Sequence, residues 1–206
     1  MHLIRLFIIS ILPALVFSQI QINEFFADNQ NCCLDNFVET EDFVEIINNG
    51  PSPINLAGYY FGDLNSGSII PSGFPEETTV GSGELFVIWY DEDLSQGPNH
   101  IDSKLNSSGE TIIVINSDGD TIVNIEYGLQ QEDVSFSSLP DGLEYSAEWN
   151  FTLCPSPGEL NQDCPLIEGC TSSLASNYNS EATIEDGSCV FNTLSGVLIN
   201  EYSASN

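Results

Sequence analysis

Positive charge is nearly absent from this sequence: 206 residues hold two Lys and Arg side chains against 31 Asp and Glu, a formal net charge of −29. Such a surface has almost nothing with which to release counterions from a phosphate backbone, so nucleic-acid binding is excluded, and anionic lipid is repelled for the same reason. Arginine occurs once, at Arg5, which leaves no guanidinium to clamp a phosphate or carboxylate substrate. Histidine occurs at His2 and His100 only, and there is no CxxC pair, which argues against a cysteine–histidine zinc site. Also missing are a Gly-x-Ser-x-Gly elbow and a glycine-rich phosphate loop. His100 reads as a residue of a polar loop before a strand, without a catalytic role. Paired carboxylates suit glycoside hydrolysis, but 31 acids meet that criterion trivially. The sequence therefore predicts a protein that is not an enzyme. Its like charges repel one another, which suits salty or calcium-containing surroundings, where screening acts over about 8–10 Å.

Long apolar runs are missing too, apart from Leu6–Phe17. That run follows Arg5 and ends in Val16-Phe17-Ser18, the three-part pattern of a signal peptide cut before Gln19. It is shorter than the roughly 20 residues a bilayer requires, so no membrane span is expected. Residues 1–18 are read as a signal peptide and the chain as secreted or displayed at the cell surface. The 188 residues that remain keep every carboxylate, with Lys104 as the sole lysine or arginine. Six cysteines in an exported chain point to disulfides. Cys32 and Cys33 are adjacent and are not expected to bond each other. Six cysteines allow 15 pairings, and the sequence does not choose among them.

What is present is β-structure and turns. Phe43–Ile47 runs into the turn Asn48-Asn49-Gly50-Pro51, and Leu85–Tyr90 is a short apolar run rich in β-formers. Thr111–Ile115 and Thr121–Tyr127 flank Asp118-Gly119, a hairpin signal because glycine adopts positive φ without steric cost. Phe43, Ile46, Leu85, Val87 and Trp89 are the expected core, while alternation turns Glu45 and Glu110 outward. Near the start, Ile22-Asn23-Glu24-Phe25-Phe26-Ala27-Asp28-Asn29 returns at the end as Ile199-Asn200-Glu201-Tyr202-Ser203-Ala204-Ser205-Asn206. That repeat predicts that residues 193–206 open a second, truncated copy of the first domain. The expected class is an all-β sandwich.

In order along the chain, Ile22-Asn23-Glu24-Phe25, Asp42–Asn48, Ile54–Tyr59, Asp63, the stretch from Phe74-Pro75 to Trp89, Lys104–Ile112, Pro140-Asp141-Gly142, Trp149 and Pro155–Asn161 resemble the lamin tail domain, in the form found in secreted bacterial multidomain proteins. The resemblance covers 19–161 and implies an immunoglobulin-like β-sandwich with a scaffold or interaction role. The insertion Cys32-Cys33-Leu34-Asp35 departs from nuclear lamin tails, and a bond from one of its cysteines to Cys154 or Cys164 would tie the first loop to the end of the domain. Residues 164–192, with Gly169-Cys170-Thr171 and Asp186-Gly187-Ser188-Cys189, resemble a short cysteine-bounded repeat, which implies a small disulfide-stapled module closed by Cys170–Cys189. Ser172 stands where that repeat commonly has an acid.

Two ligand classes follow as candidates. Calcium would take oxygens from Asn177, Asn179, Glu185 and Asp186 in the small module, or from Asn116, Asp118 and Asp120 in the hairpin turn, although neither group has the EF-hand series. A glycan would stack on Tyr59, Tyr60, Tyr90 or Trp149. The expectation is a non-catalytic extracellular structural or interaction module whose partner is an unknown extracellular protein or glycan. The alternative is a calcium- or carbohydrate-binding module accessory to a downstream domain.

Overall fold

The computed structural model describes residues 19–191, except 75, 147 and 148. The signal-peptide reading of 1–18 and the second repeat copy in 193–206 lie outside the described residues. Among those residues there is no helix. The strands are β1 (Ile20–Phe26), β2 (Asp42–Asn48), β3 (Ile54–Asn55), β4 (Tyr60–Gly62), β5 (Gly67–Ile69), β6 (Thr79–Val80) and β7 (Leu85–Tyr90). They continue with β8 (His100–Ile101), β9 (Glu110–Ile115), β10 (Thr121–Tyr127), β11 (Ser135–Ser137), β12 (Asn150–Thr152), β13 (Glu168–Gly169) and β14 (Ile184–Glu185).

Two main sheets form the sandwich, one ordered β12-β11-β1-β2-β7-β8 and the other β10-β9-β4-β5. Pairing is antiparallel within both, except that β8 lies parallel to β7. The β9–β10 hairpin turns where the Asp-Gly signal sits, with Gly119 at φ 89° and Asn116 accepting from the amides of Asp118 and Asp120. Gly58, at φ 84°, lets the chain turn from β3 into β4 and donates its N–H to Ile70. The first and last parts of the sandwich meet directly, because β1 pairs with both β2 and β11.

Period-two alternation divides β2 and β7 between two hydrophobic layers. Val44, Ile46, Ile88 and Tyr90 join Ile20, Ile22, Phe25, Phe61, Ile112, Val114 and Trp149 in the core between the sheets. Phe43 and Trp89 face the other way and pack with Phe26 in a second cluster, with Val87 and Cys33 against it. The expected core set therefore splits. Ile46 faces the interior, whereas Phe43, Val87 and Trp89 lie on the outer face, since each is one residue out of phase with it. Leu85 is only half-buried. Glu45 shares the outer face with Phe43, as alternation requires, but it is fully buried there beneath a later segment. Glu110 is partly exposed and accepts from the Tyr127 hydroxyl at 2.9 Å.

Beyond the sandwich, Cys154–Cys164 and Cys170–Cys189 are disulfide-bonded. The second bond closes a small module whose only strands among the described residues are the parallel pair β13 and β14. No bond runs from the first loop to Cys154 or Cys164: both Cys32 and Cys33 are free, and Cys33 reaches the domain end only as an Sγ 3.8 Å from the Pro155 carbonyl. The physical reason is local. The segment 155–161 loops out and returns to its own starting point, bringing the Cα atoms of Cys154 and Cys164 to 5.8 Å, within bonding geometry.

Phe25 is fully buried, with ring centroids 4.8 Å from Tyr127, 5.6 Å from Phe136 and 6.4 Å from Trp149, so it joins both sheets. Phe25→Ala should cost about 3–5 kcal/mol, read as a lowered urea midpoint at unchanged slope.

Candidate functional site

The outer face of the six-stranded sheet carries the most concentrated polar chemistry of the fold. Glu24 and Glu45 stand opposite each other on β1 and β2, and both are fully buried. Glu24 accepts from the Ser135 hydroxyl through one oxygen and from the Ser156 amide (3.1 Å) and hydroxyl (3.2 Å) through the other. Glu45 accepts from the Asn23 side-chain amide at 3.0 Å and from the Gly158 amide at 2.6 Å. Asn161 donates to the carbonyls of Asn23 (3.1 Å) and Ser138 (2.8 Å), while its own N–H and the Asn23 side chain share Asp141. Burial raises the Glu24 carboxyl above its ordinary value and pushes Glu45 up to about 8, against the opposing pull of their hydrogen bonds. All four carboxylate oxygens of the glutamates have donors, so the arrangement is a latch that seats the segment 155–161 on the sheet. The motif Pro155–Asn161 was legible only as a resemblance; that its serine and glycine serve two buried glutamates more than a hundred residues earlier, and that its asparagine ties the segment to the Asn23 backbone, was not.

The oxygens read as calcium ligands serve separate turns. Asn177 accepts from the Val190 amide at 2.7 Å, Asn179 from Glu181 at 3.0 Å and Asp186 from Ser188 at 2.8 Å. Glu185 accepts from the Thr171 amide and hydroxyl, both at 2.9 Å, and from Gly187. These hydrogen bonds from Thr171 hold Glu185 below the ordinary carboxylate range, and those from Ser188 do the same for Asp186. Glu185 also lies near Cys170 and Cys189, but their sulfurs are spent on each other.

The aromatic set read as a sugar platform is mostly interior. Tyr59, Tyr90 and Trp149 are buried, and Tyr60 is half-buried with its hydroxyl donating to backbone carbonyls of Asp63 and Ser66. The exposed apolar side chains lie elsewhere. Leu34, Phe37 and Val38 are respectively 51%, 50% and 73% exposed at the tip of the loop between β1 and β2. This loop is strongly braced. Asp35 accepts from the amides of Phe37 and Glu39, both at 2.8 Å, and Asn29 donates to the carbonyls of Cys33 (2.7 Å) and Glu41 (2.8 Å). Asp133 pins Gln30 and Asn31 from the far side. Cys32 and Cys33 have their sulfurs 2.9 Å apart, and burial beside Cys32 pushes the Cys33 thiol well above its ordinary value. That thiol stays protonated and weakly nucleophilic.

His100 is not a loop residue. It opens β8, is 2% exposed, stacks on Trp89 and meets the edge of Phe37, with Nδ1 against an Asp91 oxygen. Sequence reasoning missed this because the parallel pairing of β8 with β7 is a non-local contact. A groove of about 360 Å³ lies along the edge strand β12, lined by Leu139, Phe151, Gln162 and Pro165 among others.

A family model described as Lamin Tail Domain matches residues 15–129, more than half of the chain. The match ends before β11 and β12, which nevertheless complete the sheet that β1 begins. No curated protein and no solved structure matches the chain.

The raised Glu45 carboxyl has a defined pH signature. Unfolded, the group ionises near 4.5; folded, it holds its proton to about 8. Its effect therefore leaves stability greatest below pH 4.5 and lowers it progressively as pH rises from 4.5 to 8. Asp42, pushed up to about 7 by burial, acts in the same direction. Urea midpoints should be higher at pH 5 than at pH 8. Glu45→Gln should lower the midpoint at pH 5 while shrinking the difference between the two.

Proposed function

The chain belongs to the lamin tail domain family, and from that premise we propose that it is a non-catalytic structural and interaction module of a secreted protein, of the secreted bacterial multidomain type, acting as a scaffold or in adhesion. The observation that carries this reading is the apolar tip Leu34-Phe37-Val38, held out by a braced loop on a rigid sheet. Solvent-exposed apolar side chains fixed in place lose little entropy on binding, which is what a docking feature requires. The partner class is an extracellular protein, since the aromatics that a glycan would need are largely interior. Two disulfides support an oxidising compartment, and the dearth of basic residues disfavours nucleic acid and anionic lipid. Among the described residues no helix is long and apolar enough to cross a membrane.

Expression of the full chain in an export-competent host tests the secretion part. The exported product should begin at Gln19 and carry two disulfides by intact mass before and after reduction. Recovery in the cytosol with residues 1–18 intact would refute it. For the interaction part, surface retention of the exported chain on cells that produce it should fall about tenfold or more in the Phe37→Ser/Val38→Ser double variant, as loss of a small apolar hot spot predicts. Unchanged retention with intact folding would move the docking surface elsewhere.

A further inference from the structure

Beneath the same loop tip, one oxygen from Asp35, one from Asp91 and a ring nitrogen of His100 lie within 4.8 Å of one another. These residues come from three separate places: the β1–β2 loop, the end of β7 and the start of β8. Asp35 is 7% exposed and His100 2%. The Asp35 carboxylate is only half used, because Oδ1 takes both the Phe37 and Glu39 amides while Oδ2 is buried without any hydrogen-bond partner. An orphaned carboxylate oxygen in a dry setting is costly and calls for a cation. Asp91 uses both oxygens, Oδ1 accepting from the Asp93 amide and Oδ2 paired with His100 Nδ1, so the donor left open in the group is the Asp35 Oδ2.

We propose that Asp35, Asp91 and His100 form a binding site for a borderline divalent cation of the zinc class. Two carboxylates and one neutral imidazole balance a charge of two. Mixed oxygen and imidazole donors suit zinc and its neighbours, whereas calcium takes six to eight oxygens. Three protein ligands leave a position for water. Zinc ligands at about 2.0–2.2 Å stand about 3.4 Å apart in a tetrahedron, so closure from the observed grouping takes adjustments on the order of an ångström. Trp89 and Phe37 wall the imidazole on two sides and limit water access. The bound ion would fasten the β1–β2 loop to β8. This site does not depend on the interaction role proposed above.

Zinc titration of the exported, chelator-treated protein tests the assignment. One zinc per chain should bind by calorimetry, and the melting temperature should rise by about 5–10 °C at zinc 100-fold above its Kd. Millimolar calcium should leave it unmoved. Asp35→Asn, which preserves the Oδ1 acceptor of the turn, and His100→Gln should each abolish the shift, with Asp35→Asn melting near wild type without metal. The competing ligands are the Cys32 and Cys33 thiols, so the Cys32→Ser/Cys33→Ser variant should retain zinc binding. Cobalt substitution should show no thiolate charge-transfer band in the near ultraviolet. The proposal is overturned by no binding in the wild-type chain, by binding that survives Asp35→Asn, by loss of binding in the double cysteine variant, or by an equal response to calcium.

Discussion

Two glutamates on adjacent strands, Glu24 and Glu45, face away from the sandwich interior and yet reach no water, and the rest of the molecule is arranged around that fact. A carboxyl buried without partners would cost several kcal/mol. The chain meets the cost with Ser135, Ser156 and Gly158, and with Asn23 and Asn161 bridging between them. Because every donor to the two carboxyls except Asn23 comes from 135–158, the latch closes the sandwich by joining its beginning to its end. Two elements outside the matched span 15–129 take part in it: β11 pairs with β1, and the segment 155–161 supplies donors to Glu24 and Glu45.

The latch divides the outer face. One end is covered by the segment 155–161, and the other by the loop between β1 and β2, which roofs Phe26, Phe43 and Trp89. A sheet with both faces covered needs apolar or well-partnered side chains on both, which is why β2 is buried from Phe43 to Asn48. The covering loop bears both the proposed docking tip and a ligand of the proposed metal site. Its tip presents Leu34, Phe37 and Val38 to solvent, and its underside brings Asp35 against Asp91 and His100. Local geometry in this loop comes from asparagine and aspartate side chains capping backbone amides, the same device that shapes the hairpin at Asn116 and the turns of the small module.

The basic side chains beyond residue 18, His100 and Lys104, are close in sequence, and only His100 is drawn into the fold's interior. In a protein with 31 acids, placing the rare imidazole between two carboxylates and two aromatic rings is a specific use of a scarce group. Charge at large acts differently. It limits which partners approach, without setting the geometry of any one site.

How far the sequence alone reached follows from the range of the interactions involved. It determined the all-β class, the hairpin at Asp118-Gly119 and the family's ordered motifs, because turn chemistry and residue alternation act within a few residues. It also placed Glu45 on the correct face. The tertiary structure decided that this face is buried, that Phe43 and Trp89 form a second layer, that Cys154 bonds Cys164, and that His100 sits in β8 against Asp91. Each of these depends on a segment that returns from tens of residues away to cover or pair with another. Alternation tells which side a residue faces; only the folded chain tells what lies there.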